Sequence, residues 1–549
     1  MSGRFGVAAP KNTTTRPLVR AENIGENFEQ RTSCRGLAAV VKSHRELARM
    51  AEEVLLGIDI GTSSSKGVLT TTTGKIIARA DRDHRTSYPL PGRVEHDAAT
   101  VWWRDFRELV AELLPAAAGR RLAGLGVSGI GPVLLPADEA GEPLRPAILY
   151  GVDTRATAEI AELEAELGAE RILRHSGSAL SSQAVGPKIR WLANHEPETY
   201  RRTAKLLMCG SYLVHRLTGR YVLDHHSASQ CDPIYDPYGQ RWAPEWSRSV
   251  APGLELPELA WPTETAGRVH AEAAAETGLP EGLPVTVGTV DAWAEACSVG
   301  VREPGDVMLM YGTTMFFVRV VDQLRPHPAL WGTRGVHPDT YTQAAGMATS
   351  GAVTDWLRGL FGGEFSELVA AASEVPAGSR GLLLLPYFAG ERTPVFDPDA
   401  RGMLFGLTTE HGRAEIYRAA LEGIAYGVRH NLAEMSGAES TEERIVAVGG
   451  GTTGGLWTRI VSDVTGRPQL IPAETVGACY GDALLAGLAT GTAVAPREWN
   501  PVVDRVEPDP ANTERYDAFY RHYRRLYEST ADTAHFLAQQ QRLATGEPR

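Results

Sequence analysis

The chain has 549 residues, too many for one compact core, and a rule of about 150 residues per domain suggests two to four domains. Apolar residues make up 43% and charged residues 22%, which excludes wholesale disorder, collagen and coiled coil. The formal net charge is −12, and nine Lys/Arg against four Asp/Glu in residues 1–50 leave the rest of the chain more acidic still, which argues against nucleic acid as the main partner.

Residues 1–53 are polar, Thr- and Arg-rich, and lack a clear period before Leu37–Met50. No apolar core follows a basic start, so the segment is not a secretory signal. Its basic, hydroxyl-rich composition also suits a transit peptide. It reads first as a flexible, dispensable extension, or as sequence ahead of a start at Met50. From Val54 strands and helices alternate. VLLGIDIG is an apolar run ending in Gly-Thr, and GVLTTTTGKIIARADR reads as two strands around a turn at Thr73-Gly74. Ala99 to Leu114 has a helical period, with Val101, Trp102, Phe106, Leu109, Val110 and Leu113 on one side. Leu122 to Ala137 is the longest uncharged stretch, but four Gly and two Pro break it, so no membrane-spanning helix is expected. Its first half, LAGLGVSG, reads as a buried strand. Helices are expected over Ala156–Leu167 and around Lys188–Asn194. This alternation predicts an α/β fold with a largely buried sheet.

A turn-rich joint at Val301–Gly305 opens a second half, VMLMYGTTMFFVRVV, which matches LLGIDIGTSSSKGVL in plan: apolar strand, Gly-Thr, apolar strand. Internal duplication accounts for this; two unrelated hairpins account for it as well. The expected divisions are an extension over 1–53, domains over 54–301 and 302–535, and a C-terminal tail over 536–549. Five cysteines (34, 209, 231, 297 and 479) form no CxxC or Cys/His cluster, so neither disulfides nor a zinc site is expected and a reducing cytoplasm is the natural compartment.

Three places carry chemistry. Asp59-Ile-Gly61-Thr62-Ser63-Ser64-Ser65-Lys66 is a polar hairpin whose glycine, hydroxyls and amides suit phosphate oxygens. Asp59 at the strand mouth can hold Mg2+ through water, and Lys66 can neutralise charge. No Walker A loop or GxGxxG exists in the chain. Val287–Ala292 puts Asp291 between an apolar strand and a small-residue helix, where it can cap the helix or accept a hydroxyl proton. Val446–Trp457 carries Gly449, Gly450, Gly451, Gly454 and Gly455 between a strand and a helix, a turn that admits a phosphorylated ligand.

With two phosphate hairpins, one isolated Asp and a late glycine-rich pocket, the chain resembles the FGGY family of carbohydrate kinases, in the actin/hexokinase/Hsp70 superfamily, from about Val54 to beyond Leu488. The most specific piece is Gly402-Met-Leu404-Phe-Gly406-Leu407 followed by Glu415-Ile416-x-x-Ala419-Ala420-Leu421-Glu422. GGGTTGGLW with Ser462-Asp463-Val464 is similar to the adenosine motif of xylulokinases, and Gly481–Ala486 to the helix after it. The resemblance implies two actin-like (ribonuclease H-like) domains with an ATP/sugar cleft between them. It places Gly61, Thr62, Ser63 and Lys66 in a first phosphate loop, and Gly312, Thr313 and Thr314 in a second. Gly449, Gly450, Gly451 and Gly454 would line the adenosine pocket, Asp291 would be the catalytic base, and Asp59 would help hold Mg2+ beside ATP. On the sugar side Ile130-Gly131-Pro132-Val133 stands where xylulokinases carry Gln-Met-His-Gly and glycerol kinases Gln-Arg-Glu. Tyr150-Gly151-Val152-Asp153-Thr154-Arg155 is similar to the family's Trp-x-Asp-x-Arg stretch. Gly131, Pro132, Tyr150, Asp153 and Arg155 are thus the substrate-side candidates, with a loop-fixing ion pair as the other reading of Asp153 and Arg155. Asp224, Asp232 and the pair His225-His226 read more simply as structural or loop residues.

The resemblance implies a cytoplasmic ATP-dependent kinase of a small sugar or polyol, most simply a ketopentose such as xylulose or ribulose. No nucleic-acid or membrane partner is expected, and a homodimer is compatible. The altered Ile-Gly-Pro segment motivates the competing expectation, a degenerate sugar- and nucleotide-binding sensor without turnover.

Overall fold

The computed structural model describes residues 52–436 and 443–545; residues 1–51, and with them the expected extension up to its last two residues, lie outside the described part. Two seven-stranded sheets dominate. In the first, β1 (Glu53–Ile60), β2 (Ser64–Thr71) and β3 (Ile76–Asp83) form an antiparallel meander, followed by helix α1 (Arg104–Leu113) and strand β4 (Arg121–Gly129). β4 runs parallel to β1 on the side away from β2, and β5 (Thr265–Arg268), β6 (Pro284–Thr286) and β7 (Thr289–Val290) complete the sheet. Helix α2 (Asp291–Ser298) leaves directly from β7.

The second sheet repeats the plan. β8 (Asp306–Tyr311) and β9 (Met315–Val321) form a hairpin, β10 (Trp331–Arg334) and β11 (Tyr341–Met347) extend it, and after helix α3 (Arg413–Ser436) strand β12 (Arg444–Val448) lies parallel to β8. Helix α4 (Leu456–Thr465), β13 (Gln469–Pro472), helix α5 (Ala478–Thr490), edge strand β14 (Val502–Val506) and helix α6 (Pro510–Thr545) finish the chain. In both sheets a parallel strand flanks the first strand of an antiparallel meander, the arrangement expected of a duplicated unit. α6 continues unbroken across residue 536, which corrects the expected tail: residues 536–545 are helix.

β1 is buried along Val54–Ile60, because helices cover both faces of its sheet; this is why the strand reads as a continuous apolar run without alternation. The run expected to be helical from Ala99 begins as a π-type turn over Ala98–Trp103, with Asp97 Oδ1 accepting from Thr100 N at 2.8 Å, and passes into α1. Trp102 and Trp103 are both buried. His225-His226 is a buried short helix, His225–Ser229, where a loop was expected. His226 stacks on Trp293 at 3.8 Å between ring centroids and burial lowers it to about 3, so it is neutral.

Between the sheets lies a shared layer made by α2 and α5. Leu55, Val68 and Ala123 from the first sheet and Met308, Val318 and Val446 from the second pack there with Trp293, Ala294, Cys479 and Leu484. α5 sits flat on β1 and β4 because glycines face it. A Cβ at Gly57 would fall 2.0 Å from Cys479 O, and one at Gly126 would fall 1.9 Å from Asp482 O. The joint after α2 is tied down by Asp306, whose Oδ2 accepts from Arg302 N at 3.0 Å and Glu303 N at 2.9 Å.

Candidate active site

The C-terminal edge of the first sheet gathers the acids. Asp59, next to last in β1, lies opposite Ser128 of β4 and opposite Lys66 of β2. On the other side of β4, Thr289 and Val290 pair with Ser128 and Gly129, and Asp291 follows. Strands spaced about 4.8 Å apart put Thr289 two spacings from Asp59, and Asp291 lies two residues beyond it, at the start of α2. Asp59, Lys66 and Asp291 all line one cleft of about 950 Å³.

Asp59 is 8% exposed. Burial pushes its carboxyl up to about 6, against the opposing pull of the Ser128 hydrogen bond and the Lys66 charge. Ser128 Oγ lies 3.1 Å from Asp59 Oδ1 and 2.7 Å from Asp482 Oδ2. One hydroxyl proton cannot serve two carboxylates. Asp482 is fully buried, its Oδ1 has no partner among the described residues, and burial and the Asp59 charge push it far up. Asp482 is therefore the group that keeps a proton, and Ser128 donates toward Asp59. Asp291 is half-buried; burial, then the Asp59 charge, raises it well above the carboxylate range. Its Oδ1 accepts from Ala292 N at 2.7 Å, and Val290, not Asp291, occupies the position preceding the helix. Glu295, one turn further along α2, also lines the cleft and is raised by burial to about 7.

The first hairpin closes with Gly61 N donating to Ser64 O at 3.0 Å. It is held from behind: His84 Nε2 reaches Gly61 O at 3.1 Å, and His84 Nδ1 meets the buried Asp105 at 2.8 Å. Thr62 Oγ1 lies 3.0 Å from Tyr150 OH. Asp59 and Lys66 are the residues of this hairpin that line the cleft; Gly61, Thr62 and Ser63, in and around its turn, do not. In the second hairpin Gly312 N donates to Thr314 O at 3.1 Å, Ser350 Oγ donates to Gly312 O at 2.9 Å, and Thr314 lines the cleft while Gly312 and Thr313 do not. The turn Gly449-Gly450-Gly451 ends β12 beside this hairpin. Gly449 has φ +90°, and a Cβ there would meet Tyr311 O at 2.6 Å, so only glycine fits. Gly454 has φ +87° with open space around it, just ahead of α4. This glycine turn abuts the second hairpin but lies outside the cavity lined by Asp59 and Asp291.

On the opposite side of the cavity the expectation needs correction. Gly131 and Tyr150 line it, with Gly151, Val152 and Thr154, but Pro132, Asp153 and Arg155 do not. Asp153 Oδ2 accepts from Val94 N at 2.6 Å and from Arg155 Nη2 at 2.7 Å, and Arg155 Nη1 lies 2.8 Å from Glu95. Both side chains are at most 1% exposed. A charge pair this deep, with Glu95 and Val94 N beside it, braces the wall that presents Tyr150 and does not line the cleft. Asp224 caps the helix after it, accepting from Ser227 N at 3.0 Å. Asp232 does line the cleft, buried and pushed up by desolvation. The sequence reading also missed Gln183, Glu295, Trp331, Glu391, Arg392 and Gly477. Arg392 Nη2 donates to Met347 O at 3.1 Å, its Nε has no partner among the described residues, and its guanidinium sits 5.8 Å from the Trp331 ring centroid. Glu391 Oε1 accepts from Ala348 N at 2.7 Å and Arg392 N at 2.8 Å.

With this geometry established, two family models match: the N-terminal domain of the FGGY family of carbohydrate kinases over residues 54–297, and the C-terminal domain of the same family over 307–490. The chain belongs to the FGGY family of carbohydrate kinases. It is 29% identical over 491 residues to a xylulose kinase of Escherichia coli, covering 86% of this chain and 98% of that protein. It is 31% identical over 464 residues to a glycerol kinase of Alkalilimnicola ehrlichii, covering 80% and 90%. The crystal structure of xylulose kinase from Rhodospirillum rubrum superposes with a TM-score of 0.81 at 32% identity, covering 88% of this chain and all of that one. The expected two-domain α/β kinase fold is borne out, and the protein is an ATP-dependent carbohydrate kinase of this family. Among the described residues no helix is long and apolar enough to cross a membrane, Cys209, Cys231, Cys297 and Cys479 are free and buried, and no His/Cys/Asp/Glu cluster has metal-site geometry.

Proposed function

We propose that this FGGY kinase transfers the γ-phosphoryl group of ATP to a hydroxyl of a ketopentose, with xylulose first and ribulose second, and that Asp291 is the general base. The carrying observation is that Asp59 and Lys66, from the adjacent strands β1 and β2, and Asp291, which follows β7 on the far side of β4, line one cleft. The names of the relatives support the acceptor class. In this reading residues 54–301 form the sugar-binding lobe with the first phosphate hairpin, and residues 302–535 the nucleotide lobe, with Gly312–Thr314 on phosphates and the Gly449–Gly454 turn on adenosine.

The acceptor hydroxyl donates to the Asp291 carboxylate. As its oxygen forms the new bond to the γ-phosphorus, the bond from that phosphorus to the β,γ-bridging oxygen breaks, ADP leaves, and the hydroxyl proton passes to Asp291. A raised carboxyl is a stronger base once ionised, which suits proton acceptance. Lys66 offsets charge on the transferring group. Asp59, an oxygen donor held in place by Ser128, suits Mg2+ bound through water, and the ion would supply charge neutralisation on the phosphates. Closing the cleft excludes water from the phosphorus.

The test is ADP release against a panel of D-xylulose, D-ribulose, D-gluconate and glycerol. Stimulation strongest with a ketopentose is expected, whereas tight sugar binding with no stimulation by any acceptor would replace the kinase reading by a sensor. Asp291→Asn should lower kcat by about 10³-fold or more while ATP affinity persists. Near-normal turnover in that variant would overturn the base assignment.

A further inference from the structure

The family match ends at residue 490, but α6 runs on to Thr545. Its last turns bury only the small side chains of Ala534 and Ala538 and leave Phe536 and Leu543 exposed, at 58% and 65%, so apolar burial does little to hold them in place. Polar contacts do, and they converge on one five-residue segment, Asp397–Arg401. Tyr527 OH donates to Asp397 Oδ2 at 2.8 Å, and His535 Nε2 lies 2.7 Å from the same oxygen. Arg542 grips both oxygens of Asp399, Nη2 at 3.2 Å from Oδ2. Arg401 Nε donates to Gln541 Oε1 at 2.7 Å.

That segment is continuous with the cleft wall. Glu391 N donates to Asp397 O at 2.8 Å and Asp397 N donates to Glu391 O at 2.9 Å, closing a tight loop; its members Glu391, Arg392 and Phe396, and Pro398 just after it, line the cavity. A single exposed ion pair contributes little, whereas a two-pronged pair within a network fixes geometry. We propose that the end of α6 is a positioning element for acceptor binding: Tyr527, His535 and Arg542 hold Asp397 and Asp399, and these set the Glu391–Arg392 wall against the acceptor. The inference rests on the proposed function and on reading the Glu391–Arg392 wall, which the second lobe contributes to the same cavity as Tyr150 and Asp291, as facing the acceptor. Misplacing a wall by a fraction of an ångström weakens acceptor binding before it disturbs nucleotide binding at the glycine turns.

The experiment compares full-length wild type, Arg542→Asp and the charge swap Asp399→Arg/Arg542→Asp. Two readouts are taken: Michaelis constants for D-xylulose and ATP, and amide hydrogen exchange of the peptide spanning 388–401. Arg542→Asp should raise the D-xylulose KM about fivefold with the ATP KM within about twofold, and exchange at Glu391 and Asp397 should accelerate about tenfold. The swap should restore both. Unchanged exchange in Arg542→Asp, or KM values for sugar and ATP rising together without rescue by the swap, would overturn the proposal. If wild type turns over no D-xylulose, the ketopentose reading falls, and the exchange measurement alone decides this inference.

Discussion

Burial raises the carboxyls of Asp59, Asp291, Glu295 and Glu391 along the cleft, and Glu391 gives the cleanest consequence. Burial pushes its carboxyl from 4.5 up to about 8, outweighing the backbone donors and the Arg392 charge beside it. The native state therefore keeps a proton that the unfolded chain has lost above about pH 5. A group raised on folding stabilises below its unfolded pKa, and that contribution is lost as pH rises toward the folded value. Between pH 5 and 8 the wild type should lose stability more steeply than Glu391→Gln, by on the order of a few kcal/mol. Glutamine keeps an acceptor oxygen for Ala348 N and Arg392 N. Urea unfolding at both pH values measures this, and parallel stability curves for the two proteins would show that Glu391 is already ionised at pH 5. Asp59, Lys66 and Asp291 were legible in the sequence because each lies at the end, near the start or just past a short apolar strand, where a lone charge stands out. Asp482, Glu391 and Arg392 were not, since their roles arise from contacts with residues hundreds of positions or a whole loop away, such as Ser128 against Asp482.

The glycine-bearing elements divide into turns and close contacts, and sequence reveals only the first kind. Gly61, Gly312 and Gly449 follow strands and announce turns. Gly481 sits inside α5 like any helical glycine, yet a Cβ there would fall 1.8 Å from Ala294 O of α2. Gly481→Ala must push α2 and α5 apart, at about 1–3 kcal/mol or more for overpacking, and it shifts the helix that begins with Asp291. Gly359 is the contrasting case: it is exposed in the helix Gly351–Phe361, and no atom lies within 4 Å of its added Cβ. Gly359→Ala should stabilise by about 0.5–1 kcal/mol, since alanine loses less backbone entropy on folding. Thermal unfolding of the two variants should therefore move in opposite directions. A Gly481→Ala protein as stable as wild type would mean the α2–α5 contact relaxes at no cost. Asp153 and Arg155 carry a related lesson. Their spacing matches a binding motif, but an Asp and an Arg two residues apart can also neutralise each other, and with Glu95 and Val94 N as further partners neither side chain lines the cleft.

The two lobes were visible in the sequence as two repeats, which suggests two independent cores, and the packing departs from that. α5, from the second half of the chain, covers β1 and β4 of the first sheet, with its Asp482 under the Asp59–Ser128 pair. α2, from the first half, turns its Trp293 onto the second sheet, where the indole Nε1 donates to Thr342 Oγ1 at 2.9 Å. Each sheet thus relies on a helix from the other side of the 301/302 joint. Cutting there would expose Leu55, Val68 and Ala123 on one fragment and Met308, Val318 and Val446 on the other, all at most 4% exposed in the intact chain. It would also leave Gly57, Gly124 and Gly126 facing water, a strip of backbone with no side chains to cover it. Fragments 53–301 and 302–545 expressed alone should therefore lack a cooperative unfolding transition, because the apolar burial lost, at about 1.5–3 kcal/mol per side chain, is comparable with the roughly 5–15 kcal/mol by which a typical domain is stable. Mixed from denaturant they should recover a single transition and a measurable fraction of kinase activity, since the shared layer reforms only when both are present. Circular dichroism during thermal unfolding of each fragment, and then of the mixture, reads this directly. A sharp melt by 53–301 on its own would show that the first lobe carries a complete core and that α5 merely decorates it.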